Sequence, residues 1–237
     1  MRKQHSKGRP LRLTAELVAR VERLEPDPGP EPGTSEHSDA EFTAWAQALL
    51  DEQPAGELWV FAYGSLIWSP EFAFEESRRA IAHGWHRAFC FRLTRWRGTR
   101  ELPALMLALD RGGSCSGVAY RLPAGDRAGQ VAQLLRREVD AKPATNVPRW
   151  LQVRTSAGLV RALAFVAAPY GLAYAGRLPL PQVARVLARA AGHWGSAAQY
   201  LFNTVTALEQ HGIHDRNLHA IQRMVAAEIA ALPARHD

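Results

Sequence analysis

A chain of 237 residues, 47% of them hydrophobic, can bury one domain core with an appendage. It has no apolar run long enough to span a bilayer, and no secretory leader pattern follows the basic start MRKQHSKGRP. The net charge of +6 is mostly arginine, with lysine only at Lys3, Lys7 and Lys142. Apart from RLTRWRGTR at 92–100 the arginines are scattered, which favours a solvated basic surface over a nucleic-acid stripe.

The first 57 residues read as an extension. LTAELVARVERLE has helical spacing, with Leu13, Leu17, Val18 and Val21 on one side. PDPGPEPGTSEHSD, 26–39, has the composition of a linker or disordered stretch. AEFTAWAQALLDE then reads as a helix with Asp39 as its N-cap. The main domain is expected over 58–232, followed by a short tail, 233–237.

Strands are expected at LWVFAY (58–63), HRAFCFRL (86–93), ALMLALD (104–110), CSGVAYRL (115–122), LQVRT (151–155) and VRALAFVA (160–167). Arg111-Gly112-Gly113 reads as the short loop of a hairpin. One helix, DRAGQVAQLLRREV, interrupts the series with Asp126 as N-cap. Three close the chain: 181–191 with Pro181 in its first turn, 196–211 between Ser196 and Gly212, and 215–232 with Leu218, Ile221, Val225, Ile229 and Leu232 on one stripe. Strands gathered early and helices late argue α+β.

Two places stand out chemically. In FAYGSLIW, 61–68, a buried strand halts on Tyr63-Gly64-Ser65. Gly64 permits a bend and a close approach, and Ser65 adds a hydroxyl, which suits a substrate carboxylate; an ordinary bulge is the alternative. Glu138 lies on or beside the apolar stripe of Val131, Leu134, Leu135 and Val139, in the last helical turn. Burial and the helix dipole both push such a carboxyl upward, toward general-base use; an ion pair with Arg136 or Arg137 is the alternative.

Other residues read as structural. His211 and His214 suit a helix C-terminus, since a metal would need a third ligand. His83, His86 and His193 belong to strand entries and loops. Cys90 and Cys115 form no CxxC and read as reduced thiols of a cytoplasmic protein. Ser65 lacks a hydrolase context, and no P-loop or dinucleotide fingerprint occurs.

The ordered set WVFAYGSLIW (59–68), GWHRAFC (84–90), RGTRELP (97–103), GVAYRL (117–122), LLRREV (134–139), YAGRLP (174–179), GHWGSAAQYLFNTV (192–205) and GIHDRNLHAI (212–221) resembles the ChaC-type γ-glutamylcyclotransferases. The resemblance covers Leu58 to Leu232. It implies a small mixed β-barrel with flanking helices, and a carbon–nitrogen lyase that converts glutathione to 5-oxoproline and Cys-Gly without cofactor or metal. It implies a small-molecule substrate, no nucleic acid and no membrane. Tyr63, Gly64, Ser65 and Leu66 correspond to the family's substrate loop, with Val60, Phe61 and Ala62 counted in the same stretch. Glu138 corresponds to the essential carboxylate, and Tyr200 is expected near the pocket. Where many members have Gly-Gly-Tyr after the Arg-Glu pair, this chain has VDAKPATNVPRW, 139–150, with Asn146 and Trp150 as candidates to stand in. Substrate choice is therefore open between glutathione and other γ-glutamyl peptides or amines. A third reading is a binding module without activity.

Overall fold

The computed structural model describes residues 12–53, 55–139 and 141–233. The N-terminal extension begins with α1 (Ala15–Ala19), capped by Thr14. The expected helix through residue 25 stops here because tertiary contacts take the chain. Val21 is buried, Glu25 N–H donates to the Gly192 carbonyl (3.3 Å), and Arg23 reaches the Arg189 carbonyl (2.9 Å). A helix this short has little stability of its own to oppose them.

The Pro/Gly-rich stretch that follows is irregular, as its composition predicts, but it is held rather than loose. Asp27 takes both nitrogens of the Arg95 fork (2.8 and 2.7 Å), and Ser35 exchanges backbone hydrogen bonds with Lys142 (3.2 and 2.8 Å). Next comes α2 (Asp39–Asp51). Its N-cap is Ser38, not Asp39: Ser38 and Glu41 form a reciprocal capping box. Asp39 instead pairs with Arg136 at 2.7 Å.

The barrel starts with β1 (Trp59–Ala62), buried at every position because it lies between an antiparallel and a parallel neighbour. One helical turn, α3 (Ser65–Trp68), leads to β2 (Glu76–Leu93), which pairs antiparallel with β3 (Ala104–Arg121) along almost its whole length. Thus the expected hairpin at Arg111-Gly112-Gly113 does not form. The segments on both sides of it pair with β2, and together they make the single strand β3. Gly112 and Gly113 have φ of 101° and 70°, and Gly84 opposite them has 81°, so the glycines bend a two-stranded ribbon instead of reversing the chain.

Helix α4 (Arg127–Glu138) is capped by Asp126, as expected. It is followed by the hairpin of β4 (Asn146–Thr155) and β5 (Gly158–Ala167). The order β1-β3-β2-β4-β5 closes into a barrel, with β1 and β5 parallel at the seam.

Helix α5 (Leu180–Leu187) ends before the expected residue 191, because Ala191–Gly192 (β6) pairs with Gly195–Ser196 (β7). The pair turns the chain into α6 (Ala197–Gln210), which Ser196 caps, and α7 (Arg216–Ala230) follows with Asp215 as cap. Among the described residues no helix is long and apolar enough to cross a membrane.

The core is the barrel interior, continued under α5, α6 and α7. Leu163 on β5 is fully buried and its Cα faces Val60 and Trp150. Leu163→Ala should cost about 2–5 kcal/mol through lost transfer energy and a residual cavity. A chain of this length then loses roughly 2–4 °C of Tm per kcal/mol, measurable by thermal denaturation.

Candidate active site

The chain leaves β1 at Ala62 and enters α3 through Tyr63 and Gly64. The Tyr63 carbonyl accepts from Arg87 Nε at 2.6 Å. Arg87 also donates to the Ser116 carbonyl and, through Nη1, to Asp215 Oδ2 at 2.9 Å. Its side chain is only 2% exposed, so this buried cation is matched by three oxygen partners. Trp68 Nε1 donates to Thr204 Oγ1 (3.1 Å), which fastens the turn to α6.

Gly64 is needed for space rather than for an unusual φ, which is −137°. A Cβ there would lie 2.9 Å from the Tyr200 hydroxyl. The Tyr200 hydroxyl, carried by α6, thus stands directly against the loop. Burial raises the Tyr200 pKa well above its ordinary value, and the charge of Glu138 raises it further. The same two causes raise Tyr63.

Glu138 is the last residue of α4. Its side chain is 14% exposed, and its Oε1 accepts from Arg137 Nε at 3.3 Å. Asn146 Nδ2 donates to the Glu138 carbonyl at 3.0 Å and reaches Oε2 at 3.4 Å. Burial pushes the carboxyl above the ordinary 4.5, while Arg137 and Asn146 pull it back. The ion pair considered from the sequence is present but shared, since Arg137 Nη1 is closer to Glu71, at 2.7 Å. Of the two candidates for the missing tyrosine's place, Asn146 stands at Glu138. Trp150 is engaged elsewhere, its Nε1 donating to the Leu49 carbonyl (3.0 Å).

The constellation therefore brings together the Tyr63–Ser65 loop, Tyr200, Glu138 and Asn146. Val60, Phe61 and Ala62 are fully buried in β1, where their side chains pack the barrel and support the loop from behind. Leu66 is 4% exposed and packs in the core as well.

Two arginines were not singled out in the sequence. Arg87 sits in the quoted GWHRAFC, and Arg97 in RGTRELP. Arg97 is 9% exposed, donates from Nη1 to the Ser196 carbonyl at 3.0 Å, and lies 5.6 Å from the centre of the Tyr200 ring. Burial lowers its pKa, while Tyr200 and Glu22 favour its charged form.

The histidines lie elsewhere. Glu209 supplies the third group that His214 lacked, with His219 as the second imidazole. Both rings point at the single Glu209 Oε1, at 3.0 and 2.7 Å, and stack with centroids 4.0 Å apart. Stacked rings sharing one oxygen fit hydrogen bonding; ligands of one tetrahedral ion would splay apart. Cys90 and Cys115 are free, buried thiols pushed up to about 12 and about 11 by burial. A cleft of 330 Å³ lined by Arg20, Arg23, Arg189 and Leu232, among others, includes none of the constellation.

The raised carboxyl has a consequence for stability. Above pH 4.5 and up to the raised folded value, the native state holds more protons at Glu138 than the unfolded chain. Its contribution to stability therefore falls as pH rises through that interval. Glu138→Gln removes this loss, so the variant's Tm should gain on wild type as pH rises above 4.5. A Tm difference independent of pH would contradict a perturbed carboxyl.

A family model described as "ChaC-like protein" matches residues 58–228. A glutathione-specific gamma-glutamylcyclotransferase of Escherichia coli (strain K12) is 38% identical over 174 residues, covering 73% of this chain and 74% of that protein. Glutathione-specific gamma-glutamylcyclotransferase 1 of Homo sapiens is 31% identical over 189 residues, covering 76% and 83%. A crystal structure of a glutathione-specific γ-glutamylcyclotransferase from yeast superposes with a TM-score of 0.66 at 20% identity, covering 73% of this chain and 97% of that one. That likeness supports the same barrel fold. With the family model spanning the barrel and its helices, this chain belongs to the ChaC-like protein family.

Proposed function

We propose that this protein degrades glutathione by cyclising its γ-glutamyl group to 5-oxoproline and releasing Cys-Gly, in the cytoplasm and without a cofactor. The observation that carries the reading is the enclosed carboxyl of Glu138, 14% exposed at the end of α4, with a shared arginine and Asn146 as its partners. The named activities of the bacterial and human relatives support the same choice.

The γ-glutamyl group brings its own nucleophile. Its α-amine closes a five-membered ring on the γ-carbonyl carbon, so a new C–N bond forms as the bond to the cysteinyl nitrogen breaks. Well-oriented intramolecular attack of this kind can contribute about 7–11 kcal/mol. The α-amine is mostly an ammonium at neutral pH, so a base must first take a proton. Glu138 takes that proton and returns it to the departing cysteinyl nitrogen. The second proton, which the ring nitrogen sheds as the lactam forms, passes to the freed amine, which leaves as an ammonium, so the reaction balances without water. A carboxyl raised by burial suits both halves of that task.

The Tyr63–Leu66 backbone holds the substrate's α-carboxylate and steadies the oxyanion. Arg97 adds a buried cation beside Tyr200 for a carboxylate of the substrate. Asn146 keeps a buried Oδ1 that has no hydrogen-bond partner among the described residues, an acceptor available to the ammonium or to protonated Glu138.

Purified protein incubated with glutathione should release 5-oxoproline and Cys-Gly in equal amounts. Glu138→Gln should lower kcat by roughly 10²- to 10⁴-fold. Full activity in that variant would remove Glu138 as the proton carrier. The loop after Glu138 departs from the usual pattern, so a panel of γ-glutamyl amino acids and amines should accompany glutathione. Preference for one of those over glutathione would reassign the substrate and leave the reaction unchanged.

A further inference from the structure

Glu22 lies in the extension, outside the region matched by the family, and the proposed chemistry makes no use of it. Its carboxylate is nevertheless inserted at the start of α6. Ser196 Oγ donates to Oε2 at 2.5 Å, and the Ser196 N–H approaches Oε1 and Oε2 at 3.2 and 3.3 Å. The fit is close: a Cβ on neighbouring Gly195 would lie 2.4 Å from Glu22 Oε1.

Ser196 is a junction. It is fully buried, its Oγ accepts the Gln199 N–H at 3.1 Å as the cap of α6, and its carbonyl accepts from Arg97 at 3.0 Å. One residue thus meets Glu22 through its N–H and hydroxyl, and Arg97 through its carbonyl. Four residues further on, α6 carries Tyr200, with the Arg97 guanidinium over its ring. A carboxylate at a helix start is favoured by the dipole, and its hydrogen bonds are charge-assisted.

We infer that Glu22 is a positioning residue: it fixes Ser196 and thereby holds Arg97 and Tyr200 in register with the substrate loop. The extension then contributes a functional part of the site as well as packing against it. This inference rests on the reading of the site as a γ-glutamyl site.

The test compares Glu22→Ala, Glu22→Gln and, as a control on the exposed side of α1, Glu16→Ala, all in the full chain. A positioning role predicts that Glu22→Ala raises KM for glutathione about tenfold while kcat falls less. It also predicts that Glu22→Gln, which keeps an acceptor for Ser196, recovers part of the loss, and that Glu16→Ala matches wild type. Wild-type KM and kcat in Glu22→Ala would overturn the inference. So would a lower kcat at unchanged KM with a depressed Tm, the signature of simple loss of folded protein.

If Glu22→Ala does not fold, Glu22→Gln decides: a several-fold rise in KM at wild-type Tm supports the role, and wild-type kinetics overturn it. If the wild-type protein makes no 5-oxoproline, the proposed function fails. The clamp is then judged by amide hydrogen exchange in the Glu22→Ala or Glu22→Gln protein that folds. At least tenfold faster exchange at Ser196 and Gln199, with α7 unchanged, supports it; unchanged exchange overturns it.

Discussion

The arrangement of the site depends on how the buried guanidinium of Arg87 is satisfied. A cation with 2% exposure cannot be left unpaired, and breaking such a pair costs about 3–5 kcal/mol. Its three oxygen partners come from three distant parts of the chain: the Tyr63 carbonyl after β1, the Ser116 carbonyl on β3, and the carboxylate of Asp215. Asp215 is also the cap of α7, accepting the Asn217 and Leu218 N–H groups through its other oxygen. The turn at Tyr63 and the start of α7 are thereby fixed to one point. The loop beyond Tyr63 can be irregular because the carbonyl before it is not free to move.

Glu138 shows the opposite economy. Burial disfavours its charge, the end of α4 is the unfavourable end of the dipole, and its cationic neighbour is better placed on Glu71. Each pKa unit of upward shift is about 1.4 kcal/mol against the ionised form. A purely structural acid this enclosed would gain from a closer, unshared arginine. Perturbed groups of this kind concentrate where chemistry needs them. Asn146 fits the same pattern, because it contacts the carboxyl without neutralising it.

Much of this was legible in the sequence because it is local. Asp126 and Ser196 were readable as caps, since each acts on an N–H three residues ahead, whereas the cap Asp215 was passed over. Glu138 stood out because helical periodicity placed it beside the core stripe. The Gly-Gly of 112–113 misled because a glycine pair bends a chain whether or not the chain reverses; pairing with β2 decides, and that is non-local. Arg87 and Arg97 were seen only as parts of motifs, since their roles come from carbonyls on other elements. Asp39 was taken for a cap because the competing Ser38–Glu41 box begins one residue earlier.

The extension is where local reading gave least, and the reason is electrostatic as well as topological. Its most visible charges are poor anchors. Asp27 and Glu41 are both held down to about 2, by Arg95 and by Lys142 with Ser38, yet both are solvent-exposed pairs, which contribute little to stability. What fixes the extension is less conspicuous in the sequence: Leu13, Val18, Val21, Phe42 and Ala46 buried against the domain, and the Glu22 carboxylate on Ser196. These contacts reach two sides of the constellation. Ser35 exchanges backbone hydrogen bonds with Lys142, four residues before Asn146, while Glu22 holds the start of the helix that carries Tyr200. A segment outside the family match thus touches the supports of both the carboxyl and the tyrosine, and that is where this chain has room to differ from its relatives without altering the barrel.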